Sequence, residues 1–217
     1  MPTLIEPSAG ACFAFAVHGF FCANLVANTF IDLEFRILPD RLTFPLMAVG
    51  IGSSIVLPEL QHGFAELERV TPAARGLLAS LAGLGLGYGV AWLVQRGGRL
   101  AFGKEALGSG DVKLMAGIGA FLGWDGALLT FFLGCVFGAV VGLLRQFFVK
   151  DPYLAFGPYL AIGAVVTLFL GEPFVEFLTV TWPAWQSEHA SSPWLIAGAA
   201  MAAGLALILL IRRGRIT

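Results

Sequence analysis

Two aspartates stand where an apolar chain does not place a charge without a reason. Asp32 directly follows the run Thr29-Phe30-Ile31, and Asp111 follows Gly108-Ser109-Gly110 and opens the run from Val112 to Leu122. An ionised carboxylate inside hydrocarbon is costly, so such groups mark chemistry or a specific partner. Two carboxylates brought together cannot both ionise cheaply, and one then keeps a proton while the other stays charged. Such a pair can attack a carbonyl with water. The ionised member takes a proton from a water between the two, and the protonated member hydrogen-bonds the carbonyl oxygen as a tetrahedral intermediate forms. Gly108 and Gly110 suit this chemistry, because glycine lets the backbone bend tightly and lets a substrate strand come close. Asp111 has a second reading on residue type alone, as a carboxylate that caps a helix by accepting its N-terminal N–H bonds.

Other catalytic groupings are not suggested by spacing. Cys12, Cys22 and Cys135 lie in apolar runs without C-x-x-C spacing, which reads as small buried apolar residues rather than a zinc site. His18 falls in the first apolar segment and reads as a hydrogen-bonded packing residue, while His62 and His189 fall in outer loops. Ser109 has no histidine on its side of the chain's topology. The expected chemistry therefore needs no cofactor and no metal.

The elements that must carry the two aspartates are apolar. Hydrophobic residues make up 58% of the 217 and charged residues 12%, against about 25% charged in soluble chains, and the mean hydropathy is +0.84. Seven apolar segments are expected, at 11–31, 42–58, 76–96, 112–123, 126–145, 157–171 and 194–211. The fourth is too short to span a bilayer as a straight helix, and the turn Trp124-Asp125-Gly126 divides it from the fifth. The fold class is all-α: a single polytopic membrane domain of about six to seven transmembrane helices. Glu6 stands where a cleavable signal would be basic, and no Lys or Arg precedes Arg36, so the first segment is expected to stay in the mature protein.

Orientation follows from the basic residues, which insertion retains on the cytoplasmic side. All but Arg69 and Arg75 of the 13 Lys and Arg fall after the first, third, fifth or seventh segment. The expected topology has the N-terminus outside and the C-terminus cytoplasmic, with Asp32 and Asp111 near the same cytoplasmic face. Trp182, Trp185 and Trp194, in or beside the loop 172–193, suit an interfacial belt. Gly83, Gly85, Gly87 and Gly89, with Gly134, Gly138 and Gly142, are expected to let helix backbones approach closely. A formal net charge of -1 and the absence of a Lys/Arg run exclude nucleic acid as a partner.

Three stretches in order carry a resemblance. Asp32-Leu33-Glu34-Phe35-Arg36-Ile37-Leu38-Pro39-Asp40-Arg41-Leu42-Thr43 resembles the first conserved stretch of the type IV prepilin peptidase family. Gly103-Lys104-Glu105-Ala106-Leu107-Gly108-Ser109-Gly110-Asp111-Val112-Lys113-Leu114 resembles its G-x-G-D stretch, and Ala155-Phe156-Gly157-Pro158-Tyr159-Leu160-Ala161 its late F-G-P-[FY]-L-A segment. The resemblance covers about residues 25–172 and leaves the segment 194–211 unassigned.

The resemblance implies an aspartic endopeptidase of the bacterial inner membrane with Asp32 and Asp111 as the catalytic pair. Its partners would be prepilin or pseudopilin precursors, cut after the leader at the cytoplasmic face, and the membrane lipids around it. Leu38-Pro39-Asp40 would be the turn after the first catalytic helix, with Pro39 breaking it and Asp40 capping the next. Glu34 and Asp40 are alternatively placed to attract the basic leader of a precursor. Lys104 and Lys113 either tune the ionisation of Asp111 or contact lipid phosphates.

The extra N-terminal helix and paired C-x-x-C insert of many bacterial members have no counterpart here. Peptidase activity without N-methylation, and no zinc, is the expectation. Presenilin-type proteases share the G-x-G-D logic, but Ile31 precedes Asp32 and no Pro-Ala-Leu occurs, which makes that kinship distant. A proton-coupled transporter or channel is the alternative from another class, since intramembrane carboxylates also line ion paths. The segment 97–110, with Gly97, Gly98 and Gly103, is expected to be a mobile loop.

Overall fold

The computed structural model describes residues 9–58, 70–103, 107–148, 155–177 and 181–184. They form five helices in order: α1 (Ala9–Phe35), α2 (Asp40–Val56), α3 (Pro72–Phe102), α4 (Ser109–Phe148) and α5 (Gly157–Glu176). The all-α expectation holds for these residues. Three stretches are long and apolar enough to cross a membrane, Gly10–Phe35, Pro72–Leu100 and Ser109–Arg145, of 26, 29 and 37 residues. At 1.5 Å per residue each exceeds the roughly 30 Å of a bilayer core. The segment 194–211, Lys104, His62, His189, Trp185 and Trp194 lie outside the described residues.

Local signals set the helix ends. α3 opens with Pro72 in its first turn, where the missing N–H would have had no helical partner. It closes at Gly103, whose φ of 67° is left-handed and whose N–H donates to the Arg99 carbonyl at 3.0 Å. Gly97 and Gly98 are helical residues of α3 rather than parts of a loop. The apolar periodicity around them outweighs the modest helix cost of glycine.

The break between the fourth and fifth apolar segments falls at Gly123, not at the turn 124–126. Gly123 has φ 77° and ψ -175°, a backbone conformation almost confined to glycine, and both flanking stretches continue as helix. It sits where α3 crosses. A Cβ added at Gly83 would fall 2.6 Å from the Gly123 carbonyl carbon and would clash with the Gly119 carbonyl oxygen. Gly87 makes the same kind of approach to Met115, whereas Gly85 and Gly89 face open space. The expected glycine packing in α3 therefore holds for the face that carries Gly83 and Gly87 and not for the face that carries Gly85 and Gly89. Farther along α4, Gly134 admits Leu160 of α5.

The helices join through apolar packing supplemented by a few hydrogen bonds. Phe21 of α1 packs on Phe121 of α4 with ring centroids 4.6 Å apart, within a core that includes Leu25, Leu46, Leu114, Met115, Ile118 and Leu160. Ser80 Oγ donates to the Ala120 carbonyl at 2.7 Å, tying α3 to α4. Thr130 Oγ1 donates to Thr167 Oγ1 at 3.2 Å, tying α4 to α5. Much of the exterior is apolar, including Phe30, Leu93, Leu100, Phe132 and Phe169, as a surface toward lipid requires. Cys12 and Cys135 lie on that exterior and Cys22 is half-buried, so the expectation of three buried thiols is corrected; all are free.

The described residues divide after Gly171 into two compact units. In the second, the rings of Phe177 and Trp182 stand 6.3 Å apart.

Candidate active site

The buried stripe of α1 leads to Asp32. Val17, Phe21, Asn24, Leu25, Asn28 and Asp32 recur three and four residues apart and are all buried, the spacing that places side chains on one helix face. The stripe becomes polar toward its end. Asn24 Nδ2 donates to the Leu42 carbonyl of α2 at 3.1 Å, and Asn28 Nδ2 donates to Asn24 Oδ1 at 2.7 Å. Asp32 occupies the last turn of α1 and is only 6% exposed.

Immediately afterwards the chain reverses. Arg36 takes a left-handed φ of 57°, and its N–H donates to the Asp32 carbonyl at 2.9 Å. Leu38 then folds against Gly110, where an added Cβ would lie 2.7 Å from the Leu38 Cβ. Pro39 precedes the first residue of α2, so the turn expected at Leu38-Pro39-Asp40 is present. Asp40 does not cap α2: it is the first helical residue, Pro39 holds the cap position, and no side chain bonds there.

Asp111 stands in the first turn of α4 and is 8% exposed. Its Oδ2 accepts the backbone N–H of Gly108 at 3.1 Å, and the Val112 N–H donates to the Gly108 carbonyl at 3.3 Å. This is the carboxylate half of a capping box, so the capping reading describes one oxygen. The other, Oδ1, is buried without a hydrogen-bond partner. A buried acceptor left unpaired is costly and uncommon. One oxygen of Asp111 thus fixes its own helix start, and the second has no protein partner.

A third element completes the arrangement. The N–H of Gly157, first residue of α5, donates to Asp32 Oδ2 at 3.1 Å. Phe156 starts this helix by accepting the N–H groups of Tyr159 and Leu160 at 3.1 and 3.2 Å. The first-turn N–H of Gly157 has no partner within its helix and is free for the carboxylate. A Cβ at 157 would fall 2.6 Å from Asp32 Oδ2. Leu38, six residues after Asp32, packs against Gly110, the residue before Asp111, and this contact brings the end of α1 beside the start of α4.

The structure therefore gathers Asp32, Asp111, Gly108 and Gly110 around the ends of α1, α4 and α5. It does not bring Lys113 to Asp111. Lys113 Nζ lies 2.6 Å from Asp40 Oδ1 at the surface and 5.6 Å from the centroid of the Phe44 ring. Glu34 is exposed on the outer side of the last turn of α1. His18 Nδ1 lies 2.7 Å from the Ala14 carbonyl, the packing role expected of it. Among the described residues no group of three or more His, Cys, Asp or Glu side chains is placed to hold a metal ion.

Two contributions escaped sequence reasoning. Gly157 lay inside a recognised segment, but nothing local announces that its N–H serves a residue 125 positions away. Asn24 and Asn28, by contrast, precede Asp32 at steps of four inside an apolar run, a signal present in the sequence.

Residues 19–143 match the family model described as "Type IV leader peptidase family". Curated relatives carry the name "Prepilin leader peptidase/N-methyltransferase". One from Burkholderia pseudomallei (strain 1026b) is 37% identical over 180 residues, 81% of this chain and 52% of the relative. One from Aeromonas hydrophila is 40% identical over 157 residues, 70% of this chain and 49% of the relative. One from Escherichia coli (strain K12) is 33% identical over 155 residues, 70% of this chain and 62% of the relative. The chain spans about half the length of the curated relatives it matches. No solved structure matches it. With the family model covering more than half of its residues, the chain belongs to the Type IV leader peptidase family.

Proposed function

We propose that this chain is a membrane aspartic endopeptidase that removes the leader from type IV prepilin or pseudopilin precursors. The observation that carries the reading is the pair of buried carboxylates, each fixed through Oδ2 by one backbone N–H, with Asp111 Oδ1 left unpaired. A water between Asp32 and Asp111 gives a proton to the ionised carboxylate while its oxygen attacks the scissile carbonyl carbon. The protonated carboxylate donates to the carbonyl oxygen and stabilises the tetrahedral intermediate. Collapse breaks the C–N bond, and the proton taken from water passes to the leaving amine. Gly108 holds Asp111 Oδ2 through its N–H, and Gly110 admits Leu38 against the start of α4, so both glycines serve the placement of Asp111 rather than open space for the peptide.

The bundle has six to seven transmembrane helices in the bacterial inner membrane, with the N-terminus outside, the C-terminus cytoplasmic and both aspartates near the cytoplasmic face. The biased distribution of Lys and Arg supports this orientation. Glu34 and Asp40 attract the basic leader, and the apolar segment that follows the cut stays in the membrane, which supplies proximity. The peptidase half of the relatives' name is the half carried to this chain. The transport alternative expects carboxylates near the bilayer midplane, whereas Asp32 ends α1 and Asp111 begins α4.

The test is co-expression with a tagged prepilin in bacterial membranes, with leader removal followed by gel shift and mass. Asp32→Asn and Asp111→Asn are expected to abolish cutting while the protein still accumulates in the membrane. Undiminished cleavage by either variant would remove the mechanism.

A further inference from the structure

A groove of about 290 Å³ runs between α1 and α5, with Val26, Thr29 and Phe30 on one wall and Ala161, Ile162 and Val165 on the other. The two helices meet where the Gly157 N–H reaches Asp32 and leave the groove beyond that point. Thr29 lies one turn before Asp32 on α1, and Ala161 one turn after Gly157 on α5. Both walls therefore lead to the same carboxylate. Thr29 supplies the only polar side chain of the lining, and Val26, Phe30 and Ile162 are exposed on the apolar exterior of the bundle.

These features restrict the occupant. A soluble leader peptide would satisfy the carboxylate end and waste the hydrocarbon walls. A lipid tail would satisfy the walls and bring no amide to the carboxylate. A chain whose scissile amide is followed directly by an apolar helix satisfies both. Each wall covers six residues of its helix, 25–30 and 161–166, or roughly 9 Å at the helical rise. That length receives the side chains of about two turns of a partner helix, laid in as an apolar face enters a groove.

We propose that this groove seats the first apolar turns of the substrate immediately after the scissile bond, so that Val26 and Ile162 are specificity-determining contacts. The inference rests on the peptidase reading. It sets the substrate helix against α1 and α5, with its first residues beside the Asp32–Gly157 contact.

The test places a photo-crosslinking benzophenone residue at position 162 of the Asp111→Asn chain, co-expressed in membranes with a tagged precursor. Adducts are mapped by mass, and position 140 on α4, which is exposed and outside the groove, serves as the control. The expected adduct joins position 162 to the first two turns after the cut, with none from position 140. Adducts to lipid alone, or to other parts of the precursor, would overturn the proposal.

A second measurement uses otherwise wild-type protein. Ile162→Trp or Val26→Trp should raise KM for the precursor about ten-fold, the effect of a misfit in an apolar pocket, with kcat held within about two-fold. A fall in kcat at constant KM would overturn the groove assignment, since it would report damage to the catalytic end. Wild-type cleavage in the same membranes separates the two readings. Cleavage without the adduct sinks the groove alone, and failure to cleave sinks the peptidase reading beneath it.

Discussion

Gly157 donates its backbone N–H to Asp32 Oδ2 across 3.1 Å, and the same residue leaves no room for a β-carbon beside that oxygen. Position 157 is therefore tied to the carboxylate twice, as donor and as space. Gly157→Ala should displace the Asp32 side chain while leaving the helix it starts intact. Since a misplacement of about 1 Å can cost about a hundred-fold in rate, cleavage should fall by about ten-fold to a hundred-fold, with little change in thermal stability in detergent. Wild-type turnover by this variant would show that the contact does not position the carboxylate.

Asp111 has two oxygens with different duties, and two substitutions separate them. Asp111→Asn keeps an acceptor for the Gly108 N–H and removes the chemistry. Asp111→Ala removes both, and loss of the cap should lower stability by about 1 kcal/mol more. Both variants should be inactive, and only the alanine form should melt measurably earlier. Equal melting temperatures would mean that the hydrogen bond to Gly108 contributes nothing to the start of α4.

The crossing of α3 and α4 gives a contrast between near neighbours. Gly83→Ala forces a methyl group into the backbone of Gly119 and Gly123 and should destabilise the protein by roughly 1–3 kcal/mol, as overpacking does. Gly85→Ala faces open space on the same helix and should be neutral or stabilising by up to about 1 kcal/mol. Thermal melts of the purified variants decide it. Similar melting of the two would contradict the crossing.

Lys113 already offsets the charge of Asp40 at 2.6 Å. If acidic residues draw the leader in, Glu34→Gln should raise KM at low salt more than Asp40→Asn does, and both effects should shrink as ionic strength rises. The Lys113–Asp40 pair is partly exposed, so Lys113→Met should cost less than about 1 kcal/mol of stability. A KM effect that persists at high salt would point to direct contact rather than steering.

Properties that act over a few residues were legible before any fold was known. The apolar runs that become α1 to α5 and the two aspartates at helix ends follow from composition and periodicity, and the turn at Leu38-Pro39-Asp40 follows from the resemblance together with the proline. So did the family, because three co-ordered stretches carry it. The break in α4 was expected one to three residues late, since a run of Leu-Gly-Trp-Asp-Gly offers two glycines and only the crossing of α3 at Gly83 selects Gly123.

Partnerships between helices were decided by tertiary structure alone. The Asp40–Lys113 pair joins residues 73 apart and the Asp32–Gly157 bond residues 125 apart. The groove beside Asp32 exists only because α1 and α5 touch at that bond and leave space beyond it. A sequence writes each helix's faces at a period of 3.6 residues, but which faces meet depends on crossing geometry. Here that geometry is set by how closely bare glycine backbones let the helices approach.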